Sequence, residues 1–401
     1  MLIAGEASGD LVAAELVQAL RSRLNDAEGV PTSDYQPLHA SLEPRFFGAG
    51  GPRMAAAGVE LAFDLTAHSV IGISDVVTNY LTFRRLFHQL YQLALEREPE
   101  AIICVDFSGF NRRFAHAIGQ FVHKRQDWFH DWDPRIIQYV SPQVWASREG
   151  RAYQMAEDYD LVLSILPFEK AWYARRVPEL PVEFVGNPIV ERYGESASPE
   201  PSARSAAVSA PSAPTVLLLP GSRASELSRH LPVMLGALSQ MRQAMPNLRP
   251  LMVLPNEALA HQANAMGLPA GLETRIGGLP EALRTATIAI ASTGTVTLEC
   301  AFFGVPTIAL YKTSWSTYQI GRRIVTVKYL AMPNLLADEP IFPEFIQGAA
   351  TARNIGQAGL ELLRDENRRQ QVKAKLNQII TSLGGAGASR RAAEAIIRLI
   401  G

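Results

Sequence analysis

The chain has 401 residues, too many for one ordinary hydrophobic core, so two domains are expected. Apolar residues make up 47% and charged residues 19%, with a formal net charge of −1, a globular composition without the bulk field that would draw it onto nucleic acid. Cys104 and Cys300 each lie in an apolar stretch, which excludes a disulfide scaffold and reads as buried thiols in a reducing compartment. No run of about 18 apolar residues is present to span a membrane, and no secretory signal opens the chain, so a cytoplasmic protein is expected.

Met1-Leu2-Ile3-Ala4 reads as a first strand. It runs into the glycine turn Gly5-Glu6-Ala7-Ser8-Gly9-Asp10 and then a helical period over residues 11–24. Further strands are expected at residues 45–48, 101–105, 136–140, 161–165 and 182–185, with helical spacing between them, as at Phe114, Ile118 and Phe121. Residues 194–214 are Ser, Ala and Pro with one branched aliphatic, Val208, and read as a linker that follows a first domain of residues 1–193. The pattern then repeats in a second domain, residues 215–383. Strands are expected at 215–219, 251–254, 288–291 and 307–310, and helices at 226–245, 279–284, 296–303 and 354–383. Within 384–401, Ala392, Ile396, Ile397 and Ile400 share one helical stripe that needs another surface to bury against. Apolar strands alternating with helices mean parallel sheets covered on both faces. The expected fold is α/β, two doubly wound Rossmann-like domains facing a central cleft.

In open parallel sheets ligands bind beyond the carboxyl ends of the strands. The first turn, residues 5–10, is matched in the second half by Pro220-Gly221-Ser222-Arg223, and each places N–H groups and a helix start where an anion can sit. Ser292-Thr293-Gly294-Thr295 would cradle a diphosphate, and Glu299, a turn further on, could hold a ribose diol; the alternative is a capped helix with a buried Glu. Arg223 would supply fixed positive charge, unless it is a surface residue paired with Glu226. Asp106 ends an apolar strand, where partial desolvation would fit a general base; a helix cap is the alternative, and Glu6 and Asp10 share that ambiguity. Gly9, Asn111 and Asn187 follow strands at the same edge.

His116, His123 and His130 are seven residues apart, which separates helical neighbours by ~10 Å, too far to share a metal. No Cys or His set has metal-ligand spacing. Residues 76–91 are aromatic, apolar and basic, with Phe83, Arg84, Arg85 and Phe87 at their centre and no acid between Asp75 and Glu96. A second acid-free stretch, residues 301–337, carries Lys312, Arg322, Arg323 and Lys328. Such segments dock on anionic lipid; core packing or a homodimer interface would also explain them.

At these residues the chain resembles the lipid-A-disaccharide synthases, inverting glycosyltransferases of lipid A biosynthesis. The resemblance is carried in order by residues 5–10, Gly51-Pro52-Arg53-Met54, Tyr139-Val140-Ser141-Pro142-Gln143-Val144-Trp145, Leu166-Pro167-Phe168-Glu169, residues 219–223, Gly294-Thr295 with Leu298-Glu299, and Pro333-Asn334-Leu335-Leu336. It implies a glycosyltransferase-B fold whose last helix packs back on the first domain. It also implies a UDP-2,3-diacylglucosamine donor, a 2,3-diacylglucosamine-1-phosphate (lipid X) acceptor, products UDP and a β-1,6 disaccharide phosphate, and no metal or other cofactor. By the same resemblance Asp106 is the general base with Glu6 and Ser8 beside it. Arg223, Ser222, Gly294, Thr295, Glu299 and Asn334 lie on the donor side. Residues 83–87 would hold the enzyme on the cytoplasmic face of the inner membrane.

The chain departs from the family pattern at Gly109, usually a second Asp, at Ser147, usually Trp, and at Asn187, usually His. The first strand is short, as though the native chain began upstream. A UDP-sugar epimerase of similar architecture, or a nucleotide- and lipid-binding paralogue of low activity, are the rival readings.

Overall fold

The computed structural model describes residues 1–27, 44–69, 80–125, 131–197 and 213–401. His130, residues 76–79 of the first basic stretch and residues 198–212 of the expected linker lie outside them. The chain divides into two compact units, one made of Met1–Glu191 with Leu383–Gly401, the other of Arg192–Ser382.

The first unit is built on seven parallel strands: β1 (Leu2–Ala4), β2 (Phe47–Gly50), β3 (Glu60–Asp64), β4 (Ala101–Val105), β5 (Arg135–Tyr139), β6 (Leu161–Ser164) and β7 (Val182–Phe184). They lie in the order β3-β2-β1-β4-β5-β6-β7. The second unit has six: β8 (Thr215–Leu219), β9 (Arg249–Leu254), β10 (Glu273–Ile276), β11 (Ile288–Ser292), β12 (Thr307–Tyr311) and β13 (Glu344–Ile346), in the order β10-β9-β8-β11-β12-β13. Each unit therefore reverses strand order beside its first strand, at β1/β4 and at β8/β11. The central strands are apolar on both faces because helices cover both faces: β1 and β11 are buried throughout.

Three strands were not anticipated. In β3 exposed and half-buried residues alternate, and β10 is mostly exposed, so neither edge strand has the apolar run that marks a central one. β13 has only three half-buried residues. The helix expected over residues 354–383 is two helices, Ala352–Arg364 and Glu366–Ser382, broken where Asp365 leaves helical backbone and accepts the Arg368 N–H at 2.8 Å. The helix Pro188–Ala197 runs into the first residues of the expected linker.

The terminal helix, Ala388–Ile400, belongs to the first unit. Ala392, Ala393, Ala395 and Ile396 bury in the same core as Leu16, Val17 and Leu20 of the helix Ala7–Ala27. Each aliphatic of Leu or Ile size contributes about 1.5–3 kcal/mol in such a position. Arg391 of that helix donates to the Val185 carbonyl at 2.7 Å and fills the space beside Gly186, whose φ of 86° suits glycine.

Candidate active site

The switch point of the first unit brings two turns together, residues 5–10 after β1 and residues 106–110 after β4. Leu2 pairs with Ile103 and Ala4 with Val105, so both strands end at the same level. Asp106 and Phe107 then take left-handed backbone, φ 50° and 41°. Aspartate tolerates that conformation, but for a bulky side chain it is an outlier that persists only when its surroundings over-determine it. Several contacts do so. The Phe107 ring lies over Gly5, where an added Cβ would sit 2.2 Å from a ring carbon, and it stacks on Phe110 with centroids 5.8 Å apart. The Asp106 N–H donates to the Tyr139 carbonyl at 2.9 Å.

Asp106 itself is half-buried. Burial, with the Glu6 carboxylate nearby, pushes its carboxyl up to about 6, while the Phe107 N–H pulls the other way. Gly9 packs against it: an added Cβ there would lie 3.5 Å from the Asp106 Cβ. Glu6 is half-buried and Ser8 exposed on the same turn. Asp10 is a structural residue, 2% exposed, and its carboxylate caps the helix Pro52–Ala56 by accepting the N–H groups of Gly51, Arg53 and Met54 at 2.8, 3.0 and 3.1 Å. Gly109 stands in the first turn of the helix Ser108–Arg125, and among the described residues an added Cβ there would meet nothing within 4 Å.

Asn111 is buried, and its amide donates to the carbonyls of Asp106 at 2.9 Å, Val105 at 3.3 Å and Ile3 at 3.4 Å. Gln138 of β5, also buried, donates to the same Asp106 carbonyl at 3.3 Å and to those of Tyr139 and Val140. Sequence reasoning passed over Gln138, although an amide inside the run Ile136-Ile137-Gln138-Tyr139 was a signal. Beyond β5 and β6, Glu169 is wholly buried, receives the Trp145 indole N–H at 2.9 Å and the Leu166 N–H at 3.2 Å, and is pushed by burial up to about 7. Asn187 is spent on backbone: its Oδ1 accepts the Ile189 N–H at 3.0 Å, its Nδ2 donates to Ile165, and its own N–H donates to Leu383 at 3.0 Å. That makes it a junction between the helix Pro188–Ala197 and the start of the terminal segment.

In the second unit the β8/β11 switch point gathers the turns at 220–223 and 292–295. Leu219 pairs with Ala291. Gly294, at φ 130°, precedes the helix Thr295–Phe302, where the Thr297 N–H donates to the Gly294 carbonyl at 3.1 Å and the Thr295 and Val296 N–H groups, as in any first turn, have no helical carbonyl to reach. Among the described residues an added Cβ at Gly294 would meet nothing within 4 Å, and Thr295 is exposed. Glu299 is half-buried, accepts the Tyr193 hydroxyl at 3.0 Å, and is raised by burial against that bond and the nearby Arg192 charge. Tyr193, which nothing in the sequence pointed out, packs against Phe302 and Phe303, and its phenol is pushed up to about 12. Arg223 has a side chain 62% exposed and reaches Glu226 at 3.4 Å. Glu226 also accepts the Ser222 N–H at 3.1 Å. Behind this turn the buried His230 bridges two loops, with Nδ1 donating to the Pro220 carbonyl at 2.8 Å and Nε2 accepting the Lys312 N–H at 3.0 Å. Burial lowers its pKa and suits this neutral form. Asn334 is fully enclosed, bonded through Oδ1 to Phe342 N–H and through Nδ2 to the Phe342 carbonyl and Glu344, at 2.7, 2.7 and 2.8 Å. Its side chain braces the segment before β13.

Of the first basic stretch, Leu81 is 74% exposed and Arg84 and Arg85 are exposed, while Phe83 is half-buried. Phe87 turns inward, its ring 5.5 Å from Phe110 and 5.7 Å from Phe114. Leu81, Arg84, Arg85, Phe87 and His88 line an open concavity of about 460 Å³. The second stretch includes the helix Trp315–Ile324, which has no buried residue; Trp315 is 75% and Ile320 58% exposed. No described helix is long and apolar enough to cross a membrane.

Two Rossmann-like units with these strand orders define the glycosyltransferase-B type of fold. The chain resembles CalG4, the calicheamicin glycosyltransferase, at TM-score 0.53 and 14% identity over 99% of this chain and 96% of that one. It also resembles the UDP-GlcNAc 2-epimerase from Neisseria meningitidis bound to UDP-GlcNAc, at TM-score 0.54 and 10% identity over 99% of each chain. Sequence narrows the class. Residues 1–398 match the family model of lipid-A-disaccharide synthetase. The chain is 33% identical over 405 residues to the lipid-A-disaccharide synthase of Trichlorobacter lovleyi, covering 100% of this chain and 97% of that one. It is likewise 33% identical over 408 residues to that of Chromohalobacter salexigens, covering 100% and 96%. The chain belongs to the lipid-A-disaccharide synthase family.

Proposed function

We propose that the chain joins UDP-2,3-diacylglucosamine to 2,3-diacylglucosamine-1-phosphate (lipid X), forming the β-1,6 lipid A disaccharide phosphate and UDP with inversion at the anomeric carbon. Membership of the family supports the reaction. The observation that carries the mechanism is Asp106: a carboxyl on a strained, over-determined turn at a switch point, poised near 6 by burial and Glu6. The acceptor 6-hydroxyl loses its proton to Asp106 as its oxygen bonds the anomeric carbon and the bond to the UDP oxygen breaks. A base poised close to the working pH is efficient because it is ionised yet still takes a proton readily. The second unit binds the donor. Helix N–H groups at Thr295 and the exposed charge of Arg223 offset the diphosphate charge that builds on departure, and the Glu299 carboxylate holds the ribose. Glu6 and Ser8 border the base, with Gly9 leaving room for it. Asn334 and Asn187 act by bracing loops and make no substrate contact in this reading.

Incubating the full chain with both substrates and weighing the product tests the reaction. The disaccharide phosphate with one equivalent of UDP is expected. Conversion of the donor without lipid X to an isomeric UDP-sugar of the same mass, separated by chromatography, would favour an epimerase, and no turnover would favour a binding paralogue.

We infer further that the protein sits peripherally on the anionic cytoplasmic face of the inner membrane, through Leu81, Phe83, Arg84 and Arg85 of the first unit. The exposed Leu81 and half-buried Phe83 beside the exposed Arg84 and Arg85 suit that interface, and each cation is worth about 1 kcal/mol there. Replacing Arg84 and Arg85 by Ser is expected to weaken co-sedimentation with anionic vesicles and flatten its salt dependence. Unchanged binding at low salt would count against this face.

A further inference from the structure

The two buried amides beneath Asp106 converge on one backbone carbonyl. Every acceptor around the Asn111 and Gln138 donors is a backbone carbonyl, so the NH2 end of each amide must face them. That orientation leaves Asn111 Oδ1 and Gln138 Oε1 buried with no partner among the described residues. An orphaned buried acceptor is unfavourable by roughly 1–3 kcal/mol. A methionine at 138 or a leucine at 111 would remove the orphaned amide oxygen but would also take a donor from the carbonyls of the turn. The pair of amides therefore persists for what their donors hold.

What they hold is one atom in common, the carbonyl oxygen of Asp106, reached from β5 by Gln138 at 3.3 Å and from the helix Ser108–Arg125 by Asn111 at 2.9 Å. Gln138 also reaches the carbonyl of Val140, itself at φ 64°. Peptides that turn left-handed swing their carbonyls out of the sheet ladder, and in a buried setting those carbonyls need other donors. Gln138 and Asn111 supply them on either side of the turn.

We propose that Gln138 and Asn111 are positioning residues for Asp106, a two-amide clamp that fixes the left-handed turn and so sets where the carboxylate stands. The proposal rests on the reading of Asp106 as the base. Displacing a reacting group by about 1 Å can lower turnover by about 100-fold, so the clamp should show in kcat.

The test is a pair of double-mutant cycles on the full chain: Gln138→Met and Asn111→Leu, each alone and each combined with Asp106→Asn, at enzyme concentrations that resolve the residual rate. Thermal unfolding of every variant accompanies the rates. Gln138→Met is expected to lower kcat by about 10- to 100-fold while leaving KM for both substrates nearly unchanged. In the Asp106→Asn background the same substitution should lower the rate no further, because residues acting through one group are non-additive. An unchanged kcat, or the same loss in both backgrounds, would overturn the proposal. So would failure of both clamp variants to fold while Asp106→Asn folds, since that assigns the amides to stability. Inactive wild type, or Asp106→Asn with full turnover, would instead strike the functional reading, and the clamp with it. The two failures are thus told apart by the first two rates measured.

Discussion

The carboxyl edges of the two sheets share a topology and differ in how tightly they are built. At β1/β4 the turn is crowded: Gly5 lies under Phe107, Gly9 against Asp106, and two buried amides grip one carbonyl. At β8/β11 the crowding is uneven: nothing among the described residues lies within 4 Å of a Cβ built on Gly294 and the Arg223 side chain is 62% exposed, while Glu226 packs against Gly221. A group that exchanges a proton must be fixed and partly desolvated before the substrate arrives. A loop that receives a diphosphate needs unpaired N–H groups and a charge free to swing in. In the proposed reaction the crowded switch point would hold the base and the more open one would receive the diphosphate.

The largest expected effect tests the crowded edge. Asp106→Asn keeps the shape and still suits left-handed backbone, yet cannot accept the proton. Turnover should fall roughly 10²–10⁴-fold with UDP affinity near wild type, as calorimetry would show. Stability gives a separate check. A carboxyl raised from 3.8 to about 6 by folding favours the folded state fully below its unfolded value, and that contribution is lost as pH rises through about 6. Above pH 6, Asp106→Asn should therefore unfold at a temperature no lower than wild type. A clearly lower one would mark Asp106 as a structural cap.

Gly5→Ala should be the next most severe. Its Cβ would collide with the Phe107 ring, and overpacking of this kind costs about 1–3 kcal/mol, visible as a lowered denaturant midpoint together with lost turnover. The same midpoint in wild type and variant would mean the crowded edge yields easily, and the contrast would fail.

On the open edge, Arg223→Ala and Glu299→Ala should each weaken UDP binding by about tenfold, the scale of one charge-assisted hydrogen bond, with the unfolding temperature of the Arg223 variant unchanged. Equal UDP affinity in both variants and wild type would remove the donor assignment. The smallest effect is expected at Gly109, which belongs to the crowded edge by sequence but faces open space. Gly109→Asp should raise stability by about 0.5–1 kcal/mol, through lower backbone entropy and a carboxylate in a first helical turn. A destabilised variant would show that the space is less free than it looks.

Much of this contrast could be read from the sequence. The glycine turns, the central strands and Asp106 are legible because apolar runs ending in polar residues have few other solutions in a parallel sheet. The edge strands β3 and β10 were not, since exposure replaces their apolar runs with residues such as Glu60 and Arg275. Asn334 lies in a family motif and Asn187 replaces the family's usual His, but a position in a motif does not give its partners: both side chains are bonded to neighbouring segments of the chain. Gln138, Tyr193 and His230 escaped because their partners, the Asp106 carbonyl, Glu299 and the loops at Pro220 and Lys312, are distant in sequence.

The central claim, that the first unit holds a base tuned by its surroundings, is tested most directly by kcat/KM against pH for wild type and Asp106→Asn, since that ratio reports ionisations of the free enzyme and free substrates. The wild type should gain activity as pH rises through about 6, where the Asp106 carboxyl ionises, and the Asn variant should lose that limb along with most of its rate. A limb of the same position kept by Asp106→Asn would assign it to the substrate phosphate and contradict the account.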